Sequence, residues 1–378
     1  MRLDELARGA GAALEGNPEV EVTGIAYDSR RVGPGDLFVA VQGLRVDGHH
    51  YIADAVAKGA AAVAVEATVK VPAGVTAVRM ASTRIGLAEL SAEFYGRPSR
   101  SLKLAGITGT DGKTTVTHMA EHVLQASGMV AGAMSTVSFK ISGREVDNTS
   151  GQTTNEAPEV QAWLARMVEA GAACAVIETT SHALVQERVR ACEFDVAAFT
   201  NVGHDHIDYH ATWEDYLEAK ARLIDLTAQA AHKGIEKTAV LNRDDRSYER
   251  LAGRPIPRRW TYGMTTASDL HPLELAITGS GSRFRMKTPA RPLQHLQRAV
   301  RGRRLPRAGR AGGGRGTWPG RFRGRARKAR AGRSRSGLSR LHRLCPRGRI
   351  TRQRAGRASS LYAGAADRRL RLDGAVGP

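Results

Sequence analysis

The chain has 378 residues, three cysteines and a formal charge of +20 at pH 7, long enough for two or three domains and too long for a disulfide mini-protein. Cys174, Cys192 and Cys345 form neither a CxxC pair nor an even framework, which excludes a secreted scaffold and a cysteine zinc site and points to a reducing compartment. The opening MRLDELARGAGAALEG carries acids where a signal peptide needs an apolar run, and no stretch of about 18 apolar residues follows, so a soluble cytoplasmic chain is expected.

The charge divides sharply by position. Residues 291–378 hold 26 basic side chains, 25 of them Arg, against Asp367 and Asp373, a balance of +24; residues 1–290 hold 31 basic and 35 acidic side chains, a balance of −4. Up to about residue 285, short β-rich runs alternate with helical patterns, the grammar of an α/β protein.

In chain order, residues 1–98 read as a small α/β domain with strands near 21–27, 36–41, 60–66 and 76–80, and a helix near Tyr51–Lys58. Arg97-Pro98-Ser99 reads as a linker, since proline disfavours helix in the residue before it. A second domain, 99–290, opens with the apolar strand LKLAGI and the loop Thr108-Gly109-Thr110-Asp111-Gly112-Lys113-Thr114-Thr115. Val116, Met119, Ala120, Val123 and Leu124 then recur at helical spacing until Gly128.

Strand, glycine loop and helix in that order suit a nucleoside triphosphate. Glycines let backbone N–H groups approach phosphates, the helix start favours anions, Lys113 adds a point charge, and Thr114 offers a hydroxyl to Mg²⁺. The strict GxxxxGK[ST] spacing is not met, because Ile107 stands five before Gly112.

Ligands collect beyond the carboxyl ends of parallel strands. Three apolar runs end in polar clusters: Glu178-Thr179-Thr180-Ser181-His182, Asn201-Val202-Gly203-His204-Asp205-His206-Ile207-Asp208-Tyr209-His210, and Asn242-Arg243-Asp244-Asp245. Glu178 is read as a Mg²⁺ ligand or an exposed loop acid. His204 and His206 admit zinc, but an oxygen-rich Mg²⁺ site completed by phosphates suits a chain with a phosphate loop better.

Thr212 and Asp215 form a capping-box-like start to a helix whose Trp213, Tyr216, Leu217, Leu223 and Ile224 share one stripe. Lys220 falls inside that stripe. Either its amine is held in the interior, where desolvation favours a neutral form able to take up CO₂ as a carbamate, or its head snorkels to water.

Beyond residue 290 the grammar stops. The segment 291–378 lacks period 2 or 3.6 and is too polar to offset its ordering entropy. It reads as a disordered Arg/Gly extension that binds RNA, as a solvated basic face, or as codons of a GC-rich gene read out of frame, the explanation that best fits Arg, Gly, Ala and Pro without periodicity.

TGTDGKTT (108–115), ETTSHAL (178–184), FTNVGHDHIDYHATWEDYLEAKARL (199–223) and AVLNRDD (239–245) together resemble the central ATPase domain of the Mur ligases, ATP-dependent amide-bond ligases of peptidoglycan precursor synthesis. Residues 26–63 resemble the family's UDP-binding domain, and GQTTNEAPEVQ (151–161) its paired-threonine segment. The resemblance runs in order over some 280 residues of the sequence. It implies addition of a diamino acid (meso-diaminopimelate, L-lysine or L-ornithine) to UDP-N-acetylmuramoyl-L-alanyl-D-glutamate through an acyl phosphate, by a monomer that uses ATP and Mg²⁺.

By the same resemblance, Tyr27, Ser29, Leu44, Arg45 and Val46 contact the uridine nucleotide, and Gly109, Thr110, Asp111, Gly112, Lys113, Thr114 and Thr115 bind ATP. Gln152, Thr153, Thr154, Thr180, Gln186 and Arg188 hold the muramoyl dipeptide. Thr114 and Glu178 serve one Mg²⁺, and His206 with carbamylated Lys220 the second. Asp111 and Asn155 depart from the commoner residues, and nothing after residue 290 matches the third, amino-acid-binding domain of the family. The alternatives are a D-alanyl-D-alanine-adding or cyanophycin-like amide ligase, or an RNA-binding P-loop protein acting through its Arg tail.

Overall fold

The structure is a computed structural model that describes residues 1–43, 46–203, 209–278 and 281–287. Leu44, Arg45, His204, His206 and the segment 291–378 lie outside the described residues.

The N-terminal part is built on a five-stranded sheet. Its strands are β1 (Ala13–Glu15), β2 (Gly24–Ala26), β3 (Asp36–Val39), β4 (Ala62–Glu66) and β5 (Ala77–Met80), in the order β1-β5-β4-β3-β2. All neighbours are parallel except β1, which closes one edge antiparallel to β5. Val63 and Val65 pack on one face and Ala62 and Ala64 on the other, all fully buried, which is why β4 reads as an unbroken apolar run.

Helices α1 (Leu3–Gly9), α2 (Ile52–Ala57) and α3 (Thr83–Phe94) cover this sheet. The four predicted strands and the predicted helix are all present, each slightly shorter than its pattern. The sequence reading did not anticipate α1, β1 or α3. Helix α3 buries Gly86, Ala88, Ser91 and Ala92 beside Leu87 and Leu90, so small residues on the packed face blur the apolar stripe that periodicity relies on.

Proline disfavours the right-handed helical region in the residue before it, and Arg97 avoids that region without becoming extended. Arg97 takes a left-handed conformation with φ 48°, and Pro98–Ser101 forms a 3₁₀ turn. Lys233 ties this turn down, its amine donating to the carbonyls of Ser99 (2.9 Å), Leu102 (2.7 Å) and Glu193 (2.5 Å). The same amine lies 2.8 Å from Asp195, whose other oxygen accepts from Lys237 at 2.9 Å. Burial pulls the Lys233 amine below the usual lysine value, against the opposing pull of Asp195.

The central part is an eight-stranded sheet in the order β13-β12-β11-β6-β10-β7-β8-β9. Its strands are β6 (Lys103–Thr108), β7 (Ala131–Met134), β8 (Ser138–Ile141), β9 (Arg144–Asp147), β10 (Cys174–Glu178), β11 (Val196–Phe199), β12 (Thr238–Asn242) and β13 (Arg258–Tyr262). All pairs from β13 to β7 are parallel, and β7, β8 and β9 form an antiparallel meander at the edge. Strand β6 lies between β10 and β11, so the chain leaves it to one side and later returns to the other. A crevice opens at the carboxyl ends of parallel strands where the order reverses in this way.

Helices α4 (Lys113–Ala126), α5 (Ala157–Glu169), α6 (Ser181–Val185), α7 (Trp213–Gln229) and α8 (Tyr248–Ala252) complete this part. Phe194, Phe199, Leu217, Leu223 and Ile224 join its core. The predicted capping box of α7 is present, Thr212 and Asp215 bonding each other's backbone N–H. The predicted stripe of α4 is a correction: Met119 and Val123 are exposed, and Thr117 and Glu121 are buried instead. Lys113 and Thr114 fix the rotation of this helix by serving the loop, which turns Thr117 and Glu121, one and two turns on, inward.

Strands β14 (His271–Thr278) and β15 (Gly281–Lys287) pair as an antiparallel ribbon, with Leu275 opposite Phe284 and both exposed. Cys174 and Cys192 are free and buried. Burial pushes their thiols up to about 11 and about 12, consistent with inert core positions.

Candidate functional site

The loop after β6 is shaped by the end of β11. Gly109 has φ 146°, and a Cβ there would fall 1.8 Å from Thr200 Oγ1 and 3.0 Å from the Asn201 carbonyl. Thr110 N donates to Asn201 O (2.8 Å), Asp111 N to Asn201 Oδ1 (3.0 Å), and Thr200 Oγ1 to Asp111 O (2.7 Å). Only glycine admits so close an approach of two backbones. Gly112, with φ 79°, is the N-cap of α4.

Helix α4 therefore starts directly at the loop, and the N–H groups of a helix start favour an anion. Lys113 Nζ donates to Thr110 O at 2.7 Å, curling back over the loop. Thr115 is exposed.

Glu178, at the carboxyl end of β10, is 2% exposed. Thr114 Oγ1 lies 2.9 Å from each of its carboxylate oxygens. Thr136 N donates to Oε2 at 2.8 Å, and Thr136 Oγ1 lies 3.0 Å from that oxygen and 3.1 Å from Thr153 Oγ1. A hydroxyl and a buried carboxylate in contact beside an anion-binding helix start form a hard oxygen set that fits Mg²⁺.

Lys220 is 1% exposed, so its head does not snorkel to water. Its amine donates to the Gly109 carbonyl at 2.7 Å and lies 4.3 Å from the centre of the Tyr216 ring. The side chain thus reaches the loop that follows β6. His206, its expected partner, lies outside the described residues, and of the same cluster His210 Nε2 lies 3.1 Å from Ser181 Oγ.

The paired-threonine segment meets the same strand end. Thr154 Oγ1 donates to the Glu178 carbonyl (2.8 Å) and accepts from Thr180 N (3.1 Å). Arg188 donates to Thr154 O (2.8 Å) and to Gln186 Oε1 (2.7 Å), and its Nε stands 2.9 Å from Glu156. Burial lowers the Arg188 pKa, Arg84 beside it adds to that, and Glu156 opposes both. Gln152 O accepts from Asn148 Nδ2 at 2.8 Å.

The residues expected to meet a uridine nucleotide are less closely gathered. Tyr27 OH donates to Glu159 Oε1 at 3.0 Å, across to α5, and burial with that neighbouring carboxylate holds the phenol well above its ordinary value. Ser29 O accepts from Lys58 Nζ at 2.7 Å. Val46 is exposed.

Three residues that shape this site escaped the sequence reading: Thr136, Thr200 and Asn201. The last two stand in a strand-end cluster already visible in the sequence, but only the register of β11 against β6 brings them under Gly109. Thr136 had no such signal.

The family profile for the Mur ligase middle domain matches residues 107–303, and that for the Mur ligase family catalytic domain matches residues 21–95. The UDP-N-acetylmuramyl-tripeptide synthetase of Roseiflexus sp. (strain RS-1) is 45% identical over 284 residues, which cover 72% of this chain and 55% of that protein. The UDP-N-acetylmuramoyl-L-alanyl-D-glutamate--2,6-diaminopimelate ligase of Geobacter sulfurreducens is 37% identical over 292 residues, 76% of this chain and 57% of that protein. This chain thus spans little more than half the length of the curated relatives it matches. Among solved structures, a UDP-N-acetylmuramoyl-L-alanyl-D-glutamate--2,6-diaminopimelate ligase superposes with TM-score 0.64 at 24% identity, over 76% of this chain and 58% of the other. MurF from Acinetobacter baumannii gives TM-score 0.56 at 20% identity over the same shares. These likenesses establish the fold.

Proposed function

This chain belongs to the Mur ligase family, and from that membership we propose that it takes part in ATP-driven addition of a diamino acid to UDP-N-acetylmuramoyl-L-alanyl-D-glutamate. In this reading residues 1–98 bind the UDP-muramoyl end, residues 99–290 bind ATP and the dipeptide, and 291–378 stand where an amino-acid-binding domain belongs. The names of the relatives support the substrate class. Which diamino acid is used, meso-diaminopimelate, L-lysine or L-ornithine, is decided by direct comparison of the three.

The observation that carries the reading is that Glu178 is bonded through both of its ends. Its carboxylate accepts from Thr114 Oγ1, and its main-chain carbonyl accepts from Thr154 Oγ1. The phosphate loop and the threonine pair therefore open on one strand end, as transfer of a phosphoryl group between ATP and a peptide carboxylate requires.

The D-glutamate γ-carboxylate attacks the γ-phosphorus, ADP leaves, and the incoming amine then displaces phosphate from the acyl phosphate. The helix start and Gly109–Thr115 backbone hold the phosphates, and Lys113 moves from Thr110 O onto the oxygens where charge builds up. Thr114 and Glu178 would hold Mg²⁺, which when bound spreads the negative charge of the transferring group. Lys220 could join such a site only as the carbamate, because its ammonium now donates to Gly109 O. His206 is assigned beside it by family likeness alone.

Calorimetry of the whole chain with MgATP and with UDP-N-acetylmuramoyl-L-alanyl-D-glutamate tests the reading. Uptake of both ligands is expected, and failure of either to bind overturns it.

A further inference from the structure

We propose that Arg84, on the N-terminal helix α3, is a positioning residue for the peptide end of the acceptor, acting through Gln186 and Glu156. The inference rests on the reading that Thr154, Gln186 and Arg188 hold the dipeptide.

Arg84 occupies the first turn of α3, one residue after Thr83 and two after the N-cap Ser82. A cation there is opposed by the positive end of the helix, where an acid would be favoured, so local helix stability does not explain it. Its contacts do. Arg84 Nη1 donates to Glu156 Oε2 at 2.6 Å, and Nη2 donates to Gln186 Oε1 at 3.2 Å. Both partners belong to the central part of the chain, 72 and 102 residues further on.

Arg188 approaches the same two groups from the other side, donating to Gln186 Oε1 and lying against Glu156 Oε1. Each Glu156 oxygen thus faces one guanidinium, and the Gln186 carbonyl oxygen receives N–H groups from both. Two cations on that oxygen fix the orientation of the amide, because a flipped Gln186 would turn its own NH₂ toward them. The Gln186 NH₂ is left to point away, 3.4 Å from Tyr209 OH. Arg84, Glu156 and Arg188 together carry one net positive charge, suited to a ligand bearing carboxylates.

Arg84 is not required merely to hold the two parts together. A separate contact, from Tyr27 and Arg31 to Glu159, joins them one turn further along α5. What Arg84 alone supplies is the second donor to Gln186 and the second cation on Glu156.

The test is calorimetry on the whole chain with three ligands: UDP-N-acetylmuramoyl-L-alanyl-D-glutamate, UDP, and MgATP. The variants are Arg84→Met, Gln186→Ala and the double variant. Arg84→Met is expected to weaken the peptide nucleotide by roughly tenfold or more and to leave UDP and MgATP within about twofold. The double variant should bind no more weakly than the worse single variant, since one residue acts through the other. Unchanged peptide-nucleotide affinity in Arg84→Met, equal losses for all three ligands, or fully additive losses would each overturn the inference. If the unaltered chain fails to bind the peptide nucleotide, the functional reading falls and takes this inference with it; an indifferent Arg84→Met in a binding chain removes this inference alone.

Discussion

Thr114 Oγ1 stands 2.9 Å from both carboxylate oxygens of Glu178, so a hydroxyl from the loop helix and a buried acid from the neighbouring strand already share one hydrogen bond where a cation would sit. Glu178→Gln keeps the shape and an acceptor for Thr136 while removing the charge. The Mg²⁺ concentration needed for half-maximal MgATP binding should rise by about tenfold or more. An unshifted Mg²⁺ titration would take Glu178 out of the metal site.

Lys113 is expected to matter for rate more than for ground-state affinity, because its amine stabilises charge that develops only during transfer. Lys113→Ala should abolish ADP production at saturating ATP while nucleotide binding, measured separately, falls far less. A normal rate in this variant would exclude phosphoryl transfer at the loop.

Gly109→Ala brings a methyl against Thr200 and Asn201 at a φ of 146°. The loop must open, at a cost of about 2 kcal/mol or more, and MgATP binding should be lost. Gly128→Ala is the control: its φ is 83°, but nothing lies within 4 Å of the added Cβ, so only the backbone penalty of about 1 kcal/mol applies. Thermal melts and calorimetry of the pair separate conformational strain from loss of the nucleotide site.

Glu159 supplies a pH-dependent term. Burial raises its pKa above the ordinary glutamate value, with Glu156 adding to the rise, and its Oε2 is buried without a hydrogen-bond partner among the described residues. A raised folded-state value means the folded chain holds this proton more tightly than the unfolded chain. Its contribution to stability is therefore complete below the ordinary glutamate range and is lost as pH rises through the folded value. Glu159→Gln, which does not titrate, should raise the melting temperature at pH 7, with the gain shrinking toward pH 4 in thermal melts. A gain that is independent of pH would show that Glu159 does not titrate as described.

The tail makes a prediction at the level of the gene. Arg and Gly codons in a GC-rich gene begin CG and GG, so read one nucleotide later they open with G and encode Val, Ala, Asp, Glu or Gly. Ala, Pro and Thr codons then open with C and encode mainly Leu, Pro, His, Gln or Arg. Resequencing through codon 290 should reveal a frame that restores apolar periodicity beyond it. A verified single frame, with RNA binding that vanishes on truncation at residue 290, would instead make the Arg tail a genuine nucleic-acid arm.

Much of the site was legible because phosphate chemistry constrains a short stretch of chain. Gly109, Gly112, Lys113 and Thr114 announce a strand–loop–helix whatever surrounds them, whereas the apolar stripe around Lys220 left open whether its head is buried or reaches water, and only the fold shows it buried. Contacts that depend on folding distance were not legible. Thr136 reaches Glu178 across 42 residues and Arg84 reaches Gln186 across 102, and no local pattern marks either. Helix α4 shows how a local pattern misleads: its exposed Met119 and Val123 fit the helical period, yet Thr117 and Glu121 took the inward face because Lys113 and Thr114 had to meet the loop.

Lys233 clamps three carbonyls of neighbouring segments with one amine, and Asp195 holds that amine in place. The chain that leaves the N-terminal sheet is therefore riveted at Ser99 and Leu102 to the base of the central sheet, so β6 enters it from a fixed point.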